Sequence, residues 1–306
     1  MTVLREKDIL KEIRSILKED QIIIDAPMRE HTSMRVGGKA KMLLLPSSIQ
    51  EIRDIKKELV SMNIPHYIMG KGTNLVVTDR GYSGVVIKLA ENYSDITVKG
   101  DEIIAAAGAY MVTISNLAMR HSLSGLEFAA GIPGTVGGAV AMNAGAYEGV
   151  MKDVVSRTVC IDNTGELVSL TSDEHEFGYR TSTIQKKGLL VLEVKIKLVK
   201  GEYDKIKGKM NLFSSMRREK QPLNLPSAGS VFKRPDGCFA GKLIEDAGLR
   251  GYRIGGAQVS EKHCGFIVNT GNATAADVIQ LIDHIKNQVL QNSGVILEQE
   301  VRILGG

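Results

Sequence analysis

Three side chains in this sequence are placed where they could take part in chemistry, and one run of glycines is placed where a ligand could lie. Arg180 sits in Gly178-Tyr-Arg-Thr-Ser182, a glycine-bearing turn rather than a helix face. A guanidinium there can grip a carboxylate or phosphate, although most arginines are simply solvated. Ser230 follows Ala228-Gly229 and precedes Val231-Phe232, so its hydroxyl falls where loop becomes strand. A turn serine bonding its local backbone is the ordinary reading of that position. Glu300 shares a strand face with Glu298 and Arg302 by two-residue alternation, and an exposed ion pair is its ordinary role. Residues 131–146 hold Gly131, Gly134, Gly137, Gly138 and Gly145, one proline, and almost no bulk or charge. Backbone without Cβ atoms can approach a ligand closely, and its N–H groups can form a concave anion site. Ile132 and Val136 would anchor such a loop from below. A close crossing of small-residue segments is the competing reading.

Several chemistries drop out. Ser230 lacks the G-x-S-x-G elbow, and no histidine lies near it in sequence, so a serine-hydrolase triad cannot be assembled from local signals. Gly70-Lys71-Gly72 fails as a dinucleotide fingerprint: Leu75 stands at the third glycine position and Val76-Val77 continues as strand rather than helix. It reads as a glycine turn between two strands, with Thr73 and Asn74 offering hydrogen bonds, or as a plain hairpin turn. Cys160, Cys238 and Cys264 are odd in number and far apart, which argues against a disulfide framework and a zinc site; no metal is expected. On these residues alone the chain binds a large phosphate-bearing ligand, a nucleotide or a flavin.

The elements that must position these groups alternate between helix and strand. Ile9, Leu10, Ile13, Ile16 and Leu17 recur at helical spacing. A polar connection follows from Asp25 to Gly38, then a short strand over residues 42–45 stopped by Pro46. Ser48 and Glu51 form a capping box for a helix along Ile52, Ile55 and Leu59. Strands are expected at residues 66–69, 84–89, 96–98 and 103–107, and a helix at 112–121. Asp162-Asn-Thr-Gly165 is the turn of a hairpin, and the alternation of Leu190, Leu192, Val194, Ile196 and Leu198 marks a half-buried strand. Lysine-rich residues 200–209 read as a domain boundary. Beyond it come helices through Phe213 and Leu243, a helix capped by Thr274 and Asp277, and a last strand over 295–303.

Composition sets the class. With 43% hydrophobic and 24% charged residues the chain is an ordinary globular protein. A net charge of +4, 5% aromatics and no Trp suit a small anionic ligand and give no platform for nucleic acid. No apolar run reaches the roughly 20 residues of a membrane span, and the first residues lack a signal-peptide core. A cytoplasmic location is expected.

Taken together, the motifs resemble one family, UDP-N-acetylenolpyruvoylglucosamine reductase, the flavoenzyme of peptidoglycan precursor synthesis. The resemblance rests on Gly70-Lys-Gly-Thr-Asn-Leu75, Gly131-Ile-Pro-Gly-Thr-Val-Gly-Gly138, Asn143-Ala-Gly-Ala146, Gly178-Tyr-Arg-Thr-Ser182, Arg217-x-x-Lys220-x-Pro222, Ala228-Gly-Ser-Val-Phe-Lys233, Gly251-Tyr-Arg-Ile-Gly-Gly-Ala257 and Leu297-Glu-x-Glu-Val-Arg302. It implies an α+β fold: an FAD-binding module of the vanillyl-alcohol-oxidase-like (PCMH) type in two subdomains, plus a C-terminal α+β substrate domain. The expected bounds are 1–84, 85–202 and 203–306. The short distance from Tyr179 to Lys220 is similar to the family's shorter type, which lacks a tyrosine loop.

The resemblance further implies non-covalent FAD, NADPH as hydride donor and UDP-N-acetylglucosamine-enolpyruvate as substrate. Gly70, Lys71, Gly72, Thr73, Asn74, Leu75, Gly131, Ile132, Pro133, Gly134, Thr135, Gly137, Gly138, Asn143, Gly145 and Ala146 would hold the flavin. Arg180 would stabilise the enolate that hydride addition creates, Glu300 would polarise the same group as an acid, and Ser230 would protonate C2. Lys220 and Lys233 would bind substrate or assist Ser230; Arg234 departs from the asparagine of the longer type and has no assigned role. Another FAD-dependent oxidase of the same module, or a catalytically silent nucleotide-binding protein, are the alternatives. A monomer is expected, with no nucleic-acid or membrane partner.

Overall fold

The computed structural model describes residues 3–305; Met1, Thr2 and Gly306, at the outer limits of the first and third expected domains, lie outside them. The chain forms two compact units, each assembled from three separate segments. The first is Met1–Ile24, Met42–Lys71 and Gly84–Met216; the second is Asp25–Lys41, Gly72–Ser83 and Arg217–Gly306.

The first unit is built on a five-stranded antiparallel sheet in the order Leu167–Thr171, Val155–Ile161, Leu190–Lys197, Glu102–Ala106, Ile96–Lys99. The alternating strand sits at its centre. Leu190, Val191 and Leu192 are all buried, on both faces, and only from Glu193 onward does the pattern alternate. The Asp162 turn forms as expected, its carboxylate accepting the Thr164 and Glu166 amides at 2.8 and 3.0 Å. Beside the sheet, His66–Met69 pairs in parallel with the strand Tyr82–Lys88. The helix Ile49–Ser61, which precedes His66–Met69 in the chain, buries Ile52, Ile55 and Leu59. Its Ser48 cap accepts the Glu51 amide, but the Glu51 carboxylate reaches back to Ser47 rather than Ser48, at 2.6 Å. Only one arm of the capping box therefore closes.

The second unit has its own core, in which Met34, Val36 and Val76 from the early segments pack with Val231, Ile244, Ile267, Leu281 and Ile285. Its sheet runs antiparallel in the order Ser227–Ser230, Phe266–Asn269, Ala257–Val259, Arg253–Ile254. Across it lies the helix Ala275–Ser293, which buries Val278, Leu281, Ile282, Ile285 and Val289 along one stripe. Both arms of the Thr274–Asp277 capping box are present. Asp79 adds a second clasp, accepting the Ala275 and Ala276 amides at 2.9 and 2.8 Å. Leu75–Val77 pairs in parallel with Arg302–Leu304.

The structure departs from the expected elements in four places. Residues 25–27, the start of the expected polar connection, are the end of a strand, Ile22–Pro27. The last strand is confined to Arg302–Leu304; Gln299 makes only a single bridge, to Phe232. Residues 203–209 of the lysine-rich stretch are the first turns of one 18-residue helix, Tyr203–Lys220. The glycine turn at 70–75 is no hairpin, because the strands on either side of it pair with different partners.

Candidate active site

In the first unit the two glycine segments meet. A Cβ on Gly70 would stand 2.2 Å from the Thr135 hydroxyl, and one on Gly137 would stand 2.8 Å from the Ala107 Cβ. Thr135 is buried and bridges Tyr110 in antiparallel fashion, and Val136 and Gly137 donate to the carbonyls of Ala109 and Ala107 at 2.8 and 2.9 Å. These two N–H groups bind the protein's own backbone and do not face a ligand, so this part of the run is close small-residue packing. Ile132 packs on the core and Val136 is fully buried beneath the loop. Gly145 lies against Val150, with Ala146 paired to Gly149. Gly131 ends a short 3-10 helix, Glu127–Gly131, and Gly134 has φ +115 and accepts from the Met111 amide.

Other parts of the same run face outward. Pro133 and Gly138 are exposed, and a Cβ on Gly138 would meet only the Thr135 hydroxyl, at 3.6 Å. Beside this bare backbone the Lys71 ammonium stands 4.4 Å over the Tyr110 ring, and the Tyr110 hydroxyl donates to the Glu91 carboxylate. Burial pushes the Tyr110 phenol up, and its bond to Glu91 adds to the shift. At Glu91 burial acts upward but is outweighed by the Tyr110 bond and by Lys88 and Lys71, which hold the carboxyl below its usual range. A fixed cation next to exposed, side-chain-free backbone is what a dinucleotide pyrophosphate requires. The residues present fit a flavin dinucleotide on that ground. Tyr110 and Glu91 were not apparent from sequence, since neither belongs to a motif.

Arg180 is fastened to the glycine run. Gly178 and Thr181 bridge each other across Tyr179 and Arg180. Asn143, itself at φ +44, donates to the Gly178 carbonyl at 3.0 Å, and Ser182 donates to the Ala141 carbonyl at 2.7 Å. Arg180 has φ +55, a left-handed conformation costing a residue with a Cβ about 1–2 kcal/mol. Such strain collects at functional sites.

The second unit gathers Ser230, Glu300 and the rest of the 70–75 loop. Ser230 ends the strand Ser227–Ser230; the next residue, Val231, offers its carbonyl to the Glu300 amide at 2.8 Å. Asn74 donates its side-chain amide to the Glu300 carbonyl at 3.1 Å, and its own carbonyl accepts from the Arg302 amide at 3.1 Å. Lys233 lies two residues beyond Val231, its backbone amide on the Glu298 carbonyl and its ammonium paired with the Glu298 carboxylate. Gly72 and Leu75 are buried, while Thr73 is half-buried. Lys220 is exposed at the end of its helix, and Arg234 stacks its guanidinium 4.0 Å over Phe239. Two residues that bond the early segments to the late ones escaped sequence reading. Ser33 donates to the Ser227 carbonyl at 2.6 Å, and Asn269 is buried with its amide on the Met34 carbonyl. Their partners lie some 190 and 230 residues away, beyond any local signal.

Thus Gly70, Lys71, residues 131–146 and Arg180 belong to one unit, and residues 72–75, Lys220, Ser230, Lys233 and Glu300 to the other. Among the described residues no helix is long and apolar enough to cross a membrane.

Comparison with known proteins finds two family matches along the chain. A family described as "FAD binding domain" matches residues 40–171, and one described as "UDP-N-acetylenolpyruvoylglucosamine reductase, C-terminal domain" matches residues 221–304. The UDP-N-acetylenolpyruvoylglucosamine reductase of Alkaliphilus metalliredigens is 47% identical over 98% of this chain and 99% of its own. That of Caldanaerobacter subterraneus is 49% identical over 97% and 98%. The crystal structure of the reductase from Thermus caldophilus superposes with a TM-score of 0.80 at 33% identity, covering 93% of this chain and 98% of that one. The chain is an α+β protein with a flavin-binding domain, and it belongs to the UDP-N-acetylenolpyruvoylglucosamine reductase family.

Proposed function

We propose that this chain reduces the enolpyruvyl double bond of UDP-N-acetylglucosamine-enolpyruvate to the lactyl ether of UDP-N-acetylmuramate, in peptidoglycan precursor synthesis, with NADPH as reductant. When bound, non-covalent FAD supplies the hydride chemistry. The chain's own residues hold the substrate and manage charge and proton. Hydride addition at C3 drives negative charge toward C2 and the carboxylate. The Arg180 guanidinium grips that carboxylate in two-pronged geometry, and the bonds from Asn143 and Ser182 fix its turn before substrate arrives. Ser230 delivers the proton to C2, and Glu300 acts as an acid toward the carboxylate. Lys220 contacts the nucleotide. Lys233, paired with Glu298, sets a positive charge three residues from Ser230 along the chain.

The observation that carries this reading is the Val231 carbonyl. It receives the Glu300 amide at 2.8 Å, which ties the backbone of the acidic residue to the residue next to the proposed proton donor. Ser230→Ala tests it by anaerobic stopped flow. Flavin reduction by NADPH is expected to stay within twofold of wild type, while reoxidation by the enolpyruvyl substrate falls by roughly a thousandfold, in the range of general-acid contributions. Equal slowing of both half-reactions would refute the proton-donor role.

We take the protein to act as a cytoplasmic monomer on a small-molecule substrate. Cys160, Cys238 and Cys264 all carry free thiols, in keeping with a reducing compartment. Sedimentation velocity with flavin bound checks the monomer.

A further inference from the structure

Ser230 stands at the end of a β-bulge. Ser227 pairs with Val268 and Ser230 with Phe266, so three steps along one strand are matched by two along its neighbour. The extra residue brings Ser230 to the sheet face that Ser227 occupies; in a regular strand, residues three apart point to opposite faces. Gly229, with φ +77, makes the bulge possible, and nothing lies within 4 Å of where its Cβ would be. A glycine with soft torsions and no side-chain contacts cannot hold the geometry by itself. Beside it, Ala228 is buried and Val231 is anchored through its amide to the Gly265 carbonyl at 2.9 Å. That fixes the far end of the bulge.

The near end is fixed by Ser33. Its hydroxyl donates to the Ser227 carbonyl at 2.6 Å, and its backbone amide donates to the Gly72 carbonyl at 3.1 Å. The carbonyl of Ser227 belongs to the peptide that leads into Ala228, so gripping it sets the torsions from which the bulge begins. All four residues lie in the second unit.

We propose that Ser33 is a positioning residue for the reaction: by holding the Ser227 carbonyl it aims the Ser230 hydroxyl, and through Gly72 it joins that aim to the 72–75 loop. This rests on Ser230 being the proton donor. Without the Ser33 bond the Ser227–Ala228 peptide turns, the bulge samples several forms, and proton delivery to C2 becomes the slow step.

The test uses the full-length holoenzyme and four variants. Ser33→Ala is expected to slow reoxidation by the enolpyruvyl substrate at least tenfold and to raise its solvent deuterium isotope effect. Reduction by NADPH and flavin content should be unchanged. Amide hydrogen exchange, read in flavin-free protein as well, should quicken in the peptide spanning residues 227–231. Ser33→Thr, which keeps the hydroxyl, should restore reoxidation to within twofold. Should the alanine variant not fold, Ser33→Cys, similar in size with a far weaker donor, is read in the same way. Unchanged reoxidation in Ser33→Ala, equal loss in both half-reactions, or loss of flavin would overturn the proposal. Ser230→Ala separates the two levels. If it reoxidises normally, the proton-donor reading itself fails; if it is blocked while Ser33→Ala is not, only the role of Ser33 fails.

Discussion

Arg180 combines a functional side chain with a backbone conformation that suits glycine. The two can be separated by comparing Arg180→Ala with Arg180→Gly, both of which lose the guanidinium. Only glycine accepts φ +55 without a Cβ clash. Arg180→Gly is therefore expected to be about 1 kcal/mol more stable than Arg180→Ala in urea unfolding, with both equally poor in reoxidation by substrate. Equal stability would show the turn to be relaxed. A second single-residue effect lies at His66, whose Nε2 is 2.7 Å from the Lys56 ammonium and whose Nδ1 faces the Ile64 carbonyl at 3.0 Å. Burial first, and Lys56 second, lower the His66 pKa against the raising effect of the Ile64 carbonyl. A depressed pKa means that the unfolded chain takes up the proton more readily, so stability is full above about pH 6.5 and is lost as pH falls below it. Burial lowers His175 and His263 as well. Unfolding free energy should drop between pH 7 and 5, and His66→Gln should make that slope shallower. A slope identical to wild type would exclude His66 as a source.

At the level of elements, the short helix Val136–Ala141 presents two glycines with opposite duties. A Cβ on Gly137 would collide with Ala107 at 2.8 Å, whereas one on Gly138 makes only an ordinary contact. Gly137→Ala is thus expected to destabilise the protein by about 1–3 kcal/mol, as overpacking does. Gly138→Ala should fold with wild-type stability and lose flavin, seen as a lower ratio of visible to ultraviolet absorbance. Retained flavin would mean that this backbone does not face the cofactor. The same run shows how far sequence carries. Its want of side chains was legible; which of its amides turn inward was not, because that depends on Ala107 and Ala109 lying opposite. Local signals served well where the partner is near: Asp162 with Thr164 and Glu166, Thr274 with Asp277, the buried stripe from Val278 to Val289. They failed where pairing is remote. Leu75 meets Arg302 in a parallel ladder, and only Arg302 and Ile303 of the expected nine-residue last strand pair there. Ile22–Pro27 was hidden because Asp25 and Pro27 read as loop. Arg180, Ser230 and Glu300 came from motifs, while Ser33, Tyr110 and Asn269 became visible only with coordinates.

Across the whole molecule, the second unit draws on three stretches of chain, and its core includes Met34, Val36 and Val76 from the early two. Asp79 clasps its long helix, and Leu75–Val77 is the partner of its last strand. Residues 203–306 expressed alone lack all of these, and should give a poorly dispersed amide spectrum and no cooperative urea transition. A well-dispersed spectrum would show that the early segments are dispensable. The interleaving also has a consequence for synthesis in the cell. Residues 72–83 leave the ribosome long before residues 217–305 exist, a delay of roughly ten to forty seconds at bacterial elongation rates of about 5–20 residues per second. Throughout that interval the early pieces lack most of their native partners, so the unit holding Ser230 and Glu300 closes only after its last segment has been made. A nascent chain stalled in its last third would already carry most of the flavin-binding residues and yet have no way to deliver a proton.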